Sequence, residues 1–240
     1  MSLPTQRILV PVRGGDLAVF QYGNGSGEPV LLVHGVTSSN RAFQLFADAL
    51  IARGKAPFAV DLRGRGDSNS LPAPFGMKQH AEDMATVIDH FGWNKPDVIG
   101  HSMGAATVMM AAGARNKLNM SEVPKFKAYI AISPQGAGLI FPEMAWSDIN
   151  PPVLMLTGTQ DKELGGLSWE TRTEPFNNMK SGCKWLGVIG GATHMNFAGR
   201  GISKKTETLT SQVIRDFLTG VQAGDCKLLN QISGMTISVK

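Results

Sequence analysis

The sequence predicts a single α/β domain, built on a mostly parallel sheet with helices on both faces, and three observations carry that prediction. Short apolar runs bounded by turn residues recur along the chain. Segments whose apolar residues fall at helical spacing separate them. A length of 240 residues, 42% hydrophobic and 18% charged, suffices for one domain with a sizeable buried core. Strands that alternate with helices need crossover connections, and crossovers make parallel neighbours.

The elements follow in order. RILVPV and LAVFQY flank Arg13-Gly14-Gly15-Asp16, which reads as a hairpin of two strands about a turn. PVLLVH at 29–34 is a continuous apolar run, the pattern of a strand buried on both faces. Over 40–53, Phe43, Phe46, Ala47 and Leu50 recur at helical spacing. APFAV at 56–60 reads as a strand, 77–91 as a helix, DVIG at 97–100 as a strand, and the segment after Ser102 as a helix to about Ala114. Further strands are expected at 127–133, 151–158 and 184–190, with helical segments near 171–179 and 205–218. No repeat, low-complexity tract or linker interrupts the series, so residues 1–240 are expected to form one domain.

The formal charge of +4 is the balance of 23 Lys and Arg against 19 Asp and Glu, and the basic residues are scattered along the chain, with Lys204-Lys205 the densest doublet. Neither a nucleic-acid nor a membrane partner is expected from such a distribution. No segment approaches the roughly 18 apolar residues of a membrane helix. MSLPTQRILVPV lacks the apolar core of a signal peptide, so a soluble, cytoplasmic protein is expected, with secretion after removal of a leader as the alternative. Of the two readings open to Cys183 and Cys226, free thiols is the preferred one. A bridge is the other, because Cys183 opens a strand and Cys226 follows a helix running back along it; the chain would then be secreted.

Chemistry concentrates around Ser102, in Val98-Ile-Gly-His-Ser-Met-Gly-Ala-Ala-Thr-Val-Met-Met110. In parallel sheets, reactive groups gather at the carboxyl ends of strands, and Ser102 lies just past one. A sharp strand-to-helix turn demands small residues two positions either side, and Gly100 and Gly104 supply them. The turn puts Ser102 at a helix N-terminus, where free amides stabilise a developing oxyanion. This is G-x-S-x-G, a nucleophile elbow. The pentapeptide alone is a weak signal in a chain with 28 glycines; its place between strand and helix strengthens it.

Elbow enzymes run nucleophile, acid, histidine along the chain. Of His34, His80, His90, His101 and His194, only His194 lies C-terminal to Ser102, in a loop after a strand, and it is the candidate general base. Asp161, three residues after Gly158 at the end of a buried strand, is the candidate orienting acid, with Glu163 and Asp148 as competitors. The oxyanion hole calls for two backbone donors: Met103, directly after the nucleophile, and Val36, in the loop after PVLLVH. His34 reads as a packing and hydrogen-bonding residue of that loop. Phe43, Trp146 and Trp169 fall in loops expected near the mouth and are candidate substrate-groove walls.

VHGVTSSN, DLRGRGDS, GHSMG, LTGTQD and GATH, in this order, resemble the α/β-hydrolase superfamily over nearly the whole chain. The resemblance implies an eight-stranded, mostly parallel sheet and the triad Ser102, Asp161 and His194. Residues up to about Ala105 resemble the branch of esterases, ring-cleavage-product hydrolases and epoxide hydrolases. From about Lys127 the chain is more similar to cap-less esterases related to dienelactone hydrolases and cutinase-like enzymes. Between Ser133 and Pro151 only residues 134–150 are available, too few for a helical cap, so Ser102 is expected to be open to solvent.

Residue types sort the competing chemistries. Epoxide hydrolases and dehalogenases of this fold carry a carboxylate where this chain has Ser102. No phosphate-binding glycine pattern occurs, and no histidine or cysteine pair has metal spacing, so neither cofactor nor metal is expected. The expected activity is hydrolysis of small or solvent-accessible carboxylic esters through an acyl-enzyme, failing as His194 is protonated at about pH 6 to 7. The alternatives are a small-molecule receptor on a hydrolase fold, and a cofactor-free perhydrolase or lactonase using the same residues. Oligomeric state is left open.

Overall fold

The computed structural model describes residues 4–44, 47–123, 125–162, 166–199, 203–227 and 231–240. Its elements are β1 (Gln6–Val12), β2 (Gly15–Gln21), β3 (Glu28–Val33), α1 (Ala47–Ile51), β4 (Lys55–Val60), α2 (Met77–His90), β5 (Asp97–His101), α3 (Met103–Ala111), β6 (Tyr129–Ile132), β7 (Val153–Gln160), α4 (Glu174–Asn178), β8 (Lys184–Thr193), α5 (His194–Phe197), α6 (Lys204–Ala223) and β9 (Met235–Val239). Short 3-10 turns occur at Asn40–Phe43, Gly66–Ser68 and Trp169–Thr173. The expected helix over 40–53 is therefore divided into a 3-10 turn and α1, and Phe46 lies outside the described residues.

The strands form one sheet in the order β1-β2-β4-β3-β5-β6-β7-β8-β9. From β4 to β8 every neighbouring pair is parallel. The hairpin β1-β2 and the last strand β9 are antiparallel additions at the two edges. The sheet thus has nine strands rather than the expected eight. β9, MTISV, is half exposed and pairs only with β8, so it lacks the continuous apolar run that marks the central strands.

Side chains alternate across the sheet with period two. Leu31 and Val33 enter one core with Met84, Val87, Val108 and Met109 of α2 and α3. Val30 and Leu32 enter the other with Leu50 of α1 and Val213, Ile214 and Phe217 of α6. Two of the three proposed groove walls belong to these cores. Trp146 is fully buried, its ring 5.4 Å from that of Phe141, and Phe43 is 1% exposed on the opposite face. An aromatic in a loop reads as a groove wall only while its burial is unknown, and both are packing residues.

Cys183 and Cys226 form a disulfide, which overturns the free-thiol reading. Cys183 immediately precedes β8, and Trp185 Nε1 donates to the Cys226 carbonyl at 2.8 Å, so the chain beyond α6 is held beside the start of that strand. Residues 134–150 contain turns and no helix, so nothing substantial covers the carboxyl ends of the strands there. Among the described residues, no helix is long and apolar enough to cross a membrane.

Candidate active site

The strand order reverses at β3, which lies between β4 and β5, and the loops leaving β3 and β5 therefore diverge and open a crevice. Ser102 sits there, between β5 and α3, with φ 56° and ψ −117°, a conformation unfavourable for a residue with a side chain. Close packing holds it in place. A Cβ on Gly100 would run into the Gly104 carbonyl, and one on Gly104 into the Val33 carbonyl. Strand and helix can approach this closely only without those side chains.

His194 and Asp161 are brought together by the ends of β7 and β8. The ladder between them is interrupted between Gly158 and Gln160, and Gln160 then pairs with Thr193. Gly191 N–H donates to Thr159 Oγ1 at 2.9 Å. Thr193 caps α5 through a reciprocal capping box with Asn196, which fixes His194 at the first helical position. His194 Nε2 lies 3.1 Å from Ser102 Oγ, and Nδ1 lies 2.9 Å from Asp161 Oδ1. With Nδ1–H donating to the carboxylate, Nε2 is the acceptor facing the serine hydroxyl. The imidazole side chain is 30% exposed and Asp161 is fully buried.

Asp161 is satisfied from both sides. Oδ2 accepts from Ser133 Oγ at 2.6 Å and Thr157 Oγ1 at 3.0 Å. Oδ1 faces His194 and, at 3.0 Å, Arg172 Nε. Burial pushes the carboxyl up, but the His194 hydrogen bond, the Arg172 charge and the Ser133 hydrogen bond outweigh it and hold Asp161 below the usual carboxylate range. His101 lies beneath the catalytic candidate, its ring 4.7 Å from that of His194. Burial, then repulsion from His194, pushes it down to about 3, so it stays neutral.

The loop after β3 faces the serine from the other side, since a Cβ on Gly35 would lie 3.0 Å from Ser102 Cβ. His34 Nδ1–H donates to the Gly35 carbonyl at 2.6 Å and Nε2 accepts from Leu62 N–H at 3.0 Å. Ser38 N–H also donates to that carbonyl. Across a planar trans peptide, a carbonyl held this way turns the Val36 N–H in the opposite direction. Met103 N–H is the first of α3 and has no partner within the helix. The DLRGRGDS motif braces this loop: Asp61 accepts from Asn40 N–H and Nδ2 and from Asp67 N–H, and Arg65 donates to the Val36 carbonyl.

The structure therefore brings Ser102, Asp161, His194 and the loops bearing Val36 and Met103 together. Asp148, the competing acid, is exposed and pairs with Arg115 at 3.9 Å and Lys180 at 3.7 Å; Glu163 lies outside the described residues. Trp169 is half-buried in the 3-10 turn that carries Arg172. Arg172, Ser133 and Thr157 escaped sequence reasoning. WETRTEPF gives an arginine between two glutamates the look of solvated charge, and only its 2% exposure reveals otherwise.

Comparison with known proteins agrees with this fold. The family described as alpha/beta hydrolase fold matches residues 28–162. The lipase LipV of Mycobacterium tuberculosis is 32% identical over 158 residues, 58% of this chain and 59% of that protein. The magnesium-chelatase 30 kDa subunit of Rhodobacter capsulatus is 32% identical over 131 residues, 54% of this chain and 45% of that protein. The matched stretch thus spans less than two thirds of either relative. Among solved structures, the carboxylesterase CesB (YbfK) of Bacillus subtilis superposes with a TM-score of 0.69 at 15% identity, covering 90% of this chain and 92% of that one. Est1E of Butyrivibrio proteoclasticus gives 0.63 at 17% identity, covering 90% and 99%. At these identities the likeness concerns the fold.

Proposed function

The chain belongs to the α/β-hydrolase family, and from that premise we propose that it is a serine carboxylic-ester hydrolase acting through an acyl-enzyme. One observation carries the reading: the continuous hydrogen-bonded series from Ser102 Oγ through His194 to Asp161, at the sheet's switch point. Ser102 Oγ attacks the ester carbonyl while His194 Nε2 accepts its proton, and Asp161 stabilises the resulting imidazolium. The Val36 and Met103 amides hold the oxyanion, and the imidazolium protonates the departing alcohol. Water, activated by the same Nε2, releases the acid.

The absence of a cap over 134–150 and the exposed apolar side chains of Val36 and Met195 beside the triad support small or solvent-accessible esters as substrates. The bridge between Cys183 and Cys226 supports an oxidising compartment rather than the cytoplasm, where reducing thiols keep such pairs open.

A chain-length series of nitrophenyl esters tests the reading. Wild type is expected to turn over the short esters, and Ser102→Ala to lose activity by about 10⁴-fold or more. Equal turnover by the two proteins defeats the assignment. Tight ligand binding with negligible wild-type turnover replaces it with the receptor reading.

A further inference from the structure

Arg172 is 2% exposed, and every arm of its guanidinium is engaged. Nε donates to the Asp161 carbonyl at 2.7 Å and lies 3.0 Å from Asp161 Oδ1. Nη1 donates to the Ser133 and Pro134 carbonyls at 2.8 and 3.0 Å, and Nη2 to the Lys162 carbonyl at 2.9 Å. One planar cation thus ties the loop after β6, which holds the acid's partner Ser133, to the loop after β7, which holds the acid itself. No other side chain offers five donors in a fixed plane.

The second feature is shared occupancy. Nη2 also approaches His194 Nδ1 to 3.3 Å. With Nδ1–H itself donating to Asp161, this is no hydrogen bond; two donors converge on Oδ1 from adjacent positions. A fixed positive charge beside the imidazole opposes the second positive charge that forms when Nε2 takes the serine proton. The same charge divides the attraction of Asp161 between two cations.

We propose that Arg172 is a positioning residue for the reaction at Ser102: it fixes the Asp161 loop and shares the Asp161 carboxylate with His194, and so sets where the imidazole stands. The inference rests on the ester-hydrolase reading. Among the described residues, the ionisable groups facing the imidazole are Asp161 beyond β7, Arg172 in its 3-10 turn and His101 at the end of β5. Asp161 and Arg172 are charged and His101 is neutral, so removing Arg172 leaves the Asp161 charge undivided on His194.

The experiment measures kcat and KM for nitrophenyl acetate in wild type, Arg172→Met, Arg172→Lys and Ser102→Ala, with active sites counted by fluorophosphonate labelling. Arg172→Met is expected to lose about 10- to 100-fold in kcat per labelled site with KM little changed. Arg172→Lys keeps the charge without the fork, so its kcat remains low as well. Wild-type kcat in either variant, or a rise in KM that matches the loss in kcat, overturns the proposal. Should Arg172→Met fail to fold, Arg172→Lys decides by its kcat alone. Activity surviving in Ser102→Ala instead removes the ester-hydrolase reading, which separates the two failures.

Discussion

Asp161 is the residue whose surroundings leave least room for substitution. One oxygen receives two donors from hydroxyls and the other receives His194 and Arg172, so an amide in its place must turn its NH₂ toward donors on one side or the other. Asp161→Asn is therefore expected to lower kcat by about 10³- to 10⁴-fold. Stopped-flow or steady-state hydrolysis of a nitrophenyl ester measures this, and a variant within tenfold of wild type excludes Asp161 as the orienting acid. At this scale, legibility followed sequence distance. Ser102 announces itself through the flanking Gly100 and Gly104, and His194 and Asp161 through chain order. Arg172, Ser133 and Thr157 converge on Asp161 from three separate segments, and no local pattern encodes that convergence. The groove assignments of Phe43 and Trp146 failed for the same reason in reverse: loop position was visible, burial was not.

Between elements, the tightest constraint is the passage of α3 beneath the end of β3. A valine at 104 places its side chain against the Val33 carbonyl, and backbone cannot retreat as a flexible side chain can. Gly104→Val is expected to cost about 3 kcal/mol or more, read from denaturant unfolding; a loss below about 1 kcal/mol contradicts close packing at the elbow. The bridge between the start of β8 and the chain beyond α6 closes a separation of 43 residues. Loop-closure entropy gives it about 4 kcal/mol. Cys226→Ser should lower the Tm accordingly, and reduction of wild type should do the same. An unchanged Tm in both would show that the thiols are not paired. The parallel strands were readable because each is an apolar run bounded by turns. The edge strand β9 was not, because exposure on one face breaks the run.

For the whole molecule, the buried histidines set the response to acid. Burial is the leading cause that lowers His34, His80 and His101 from the ordinary value of 6.5, and His101 reaches about 3. Between about pH 3 and 6.5 the unfolded chain binds a proton at His101 that the folded chain refuses, and His34 and His80 act in the same direction below 6.5, so stability rises with pH there and is lost on acidification. Asp161, lowered when folded, adds to the loss at the acid end. The Tm should fall by about 5 °C or more between pH 7 and pH 4, and a flat profile would contradict buried neutral imidazoles. The order of strands about β3 was not legible in the sequence, because periodicity gives strands without their neighbours. That order makes one crevice out of three distant loops. Its consequence is tested most directly by mass spectrometry of the protein quenched during turnover of a slowly deacylated nitrophenyl ester. The account predicts one acyl group per chain, located on Ser102 and absent from Ser102→Ala. An unmodified wild-type chain under turnover, or an acyl group retained in Ser102→Ala, would contradict it.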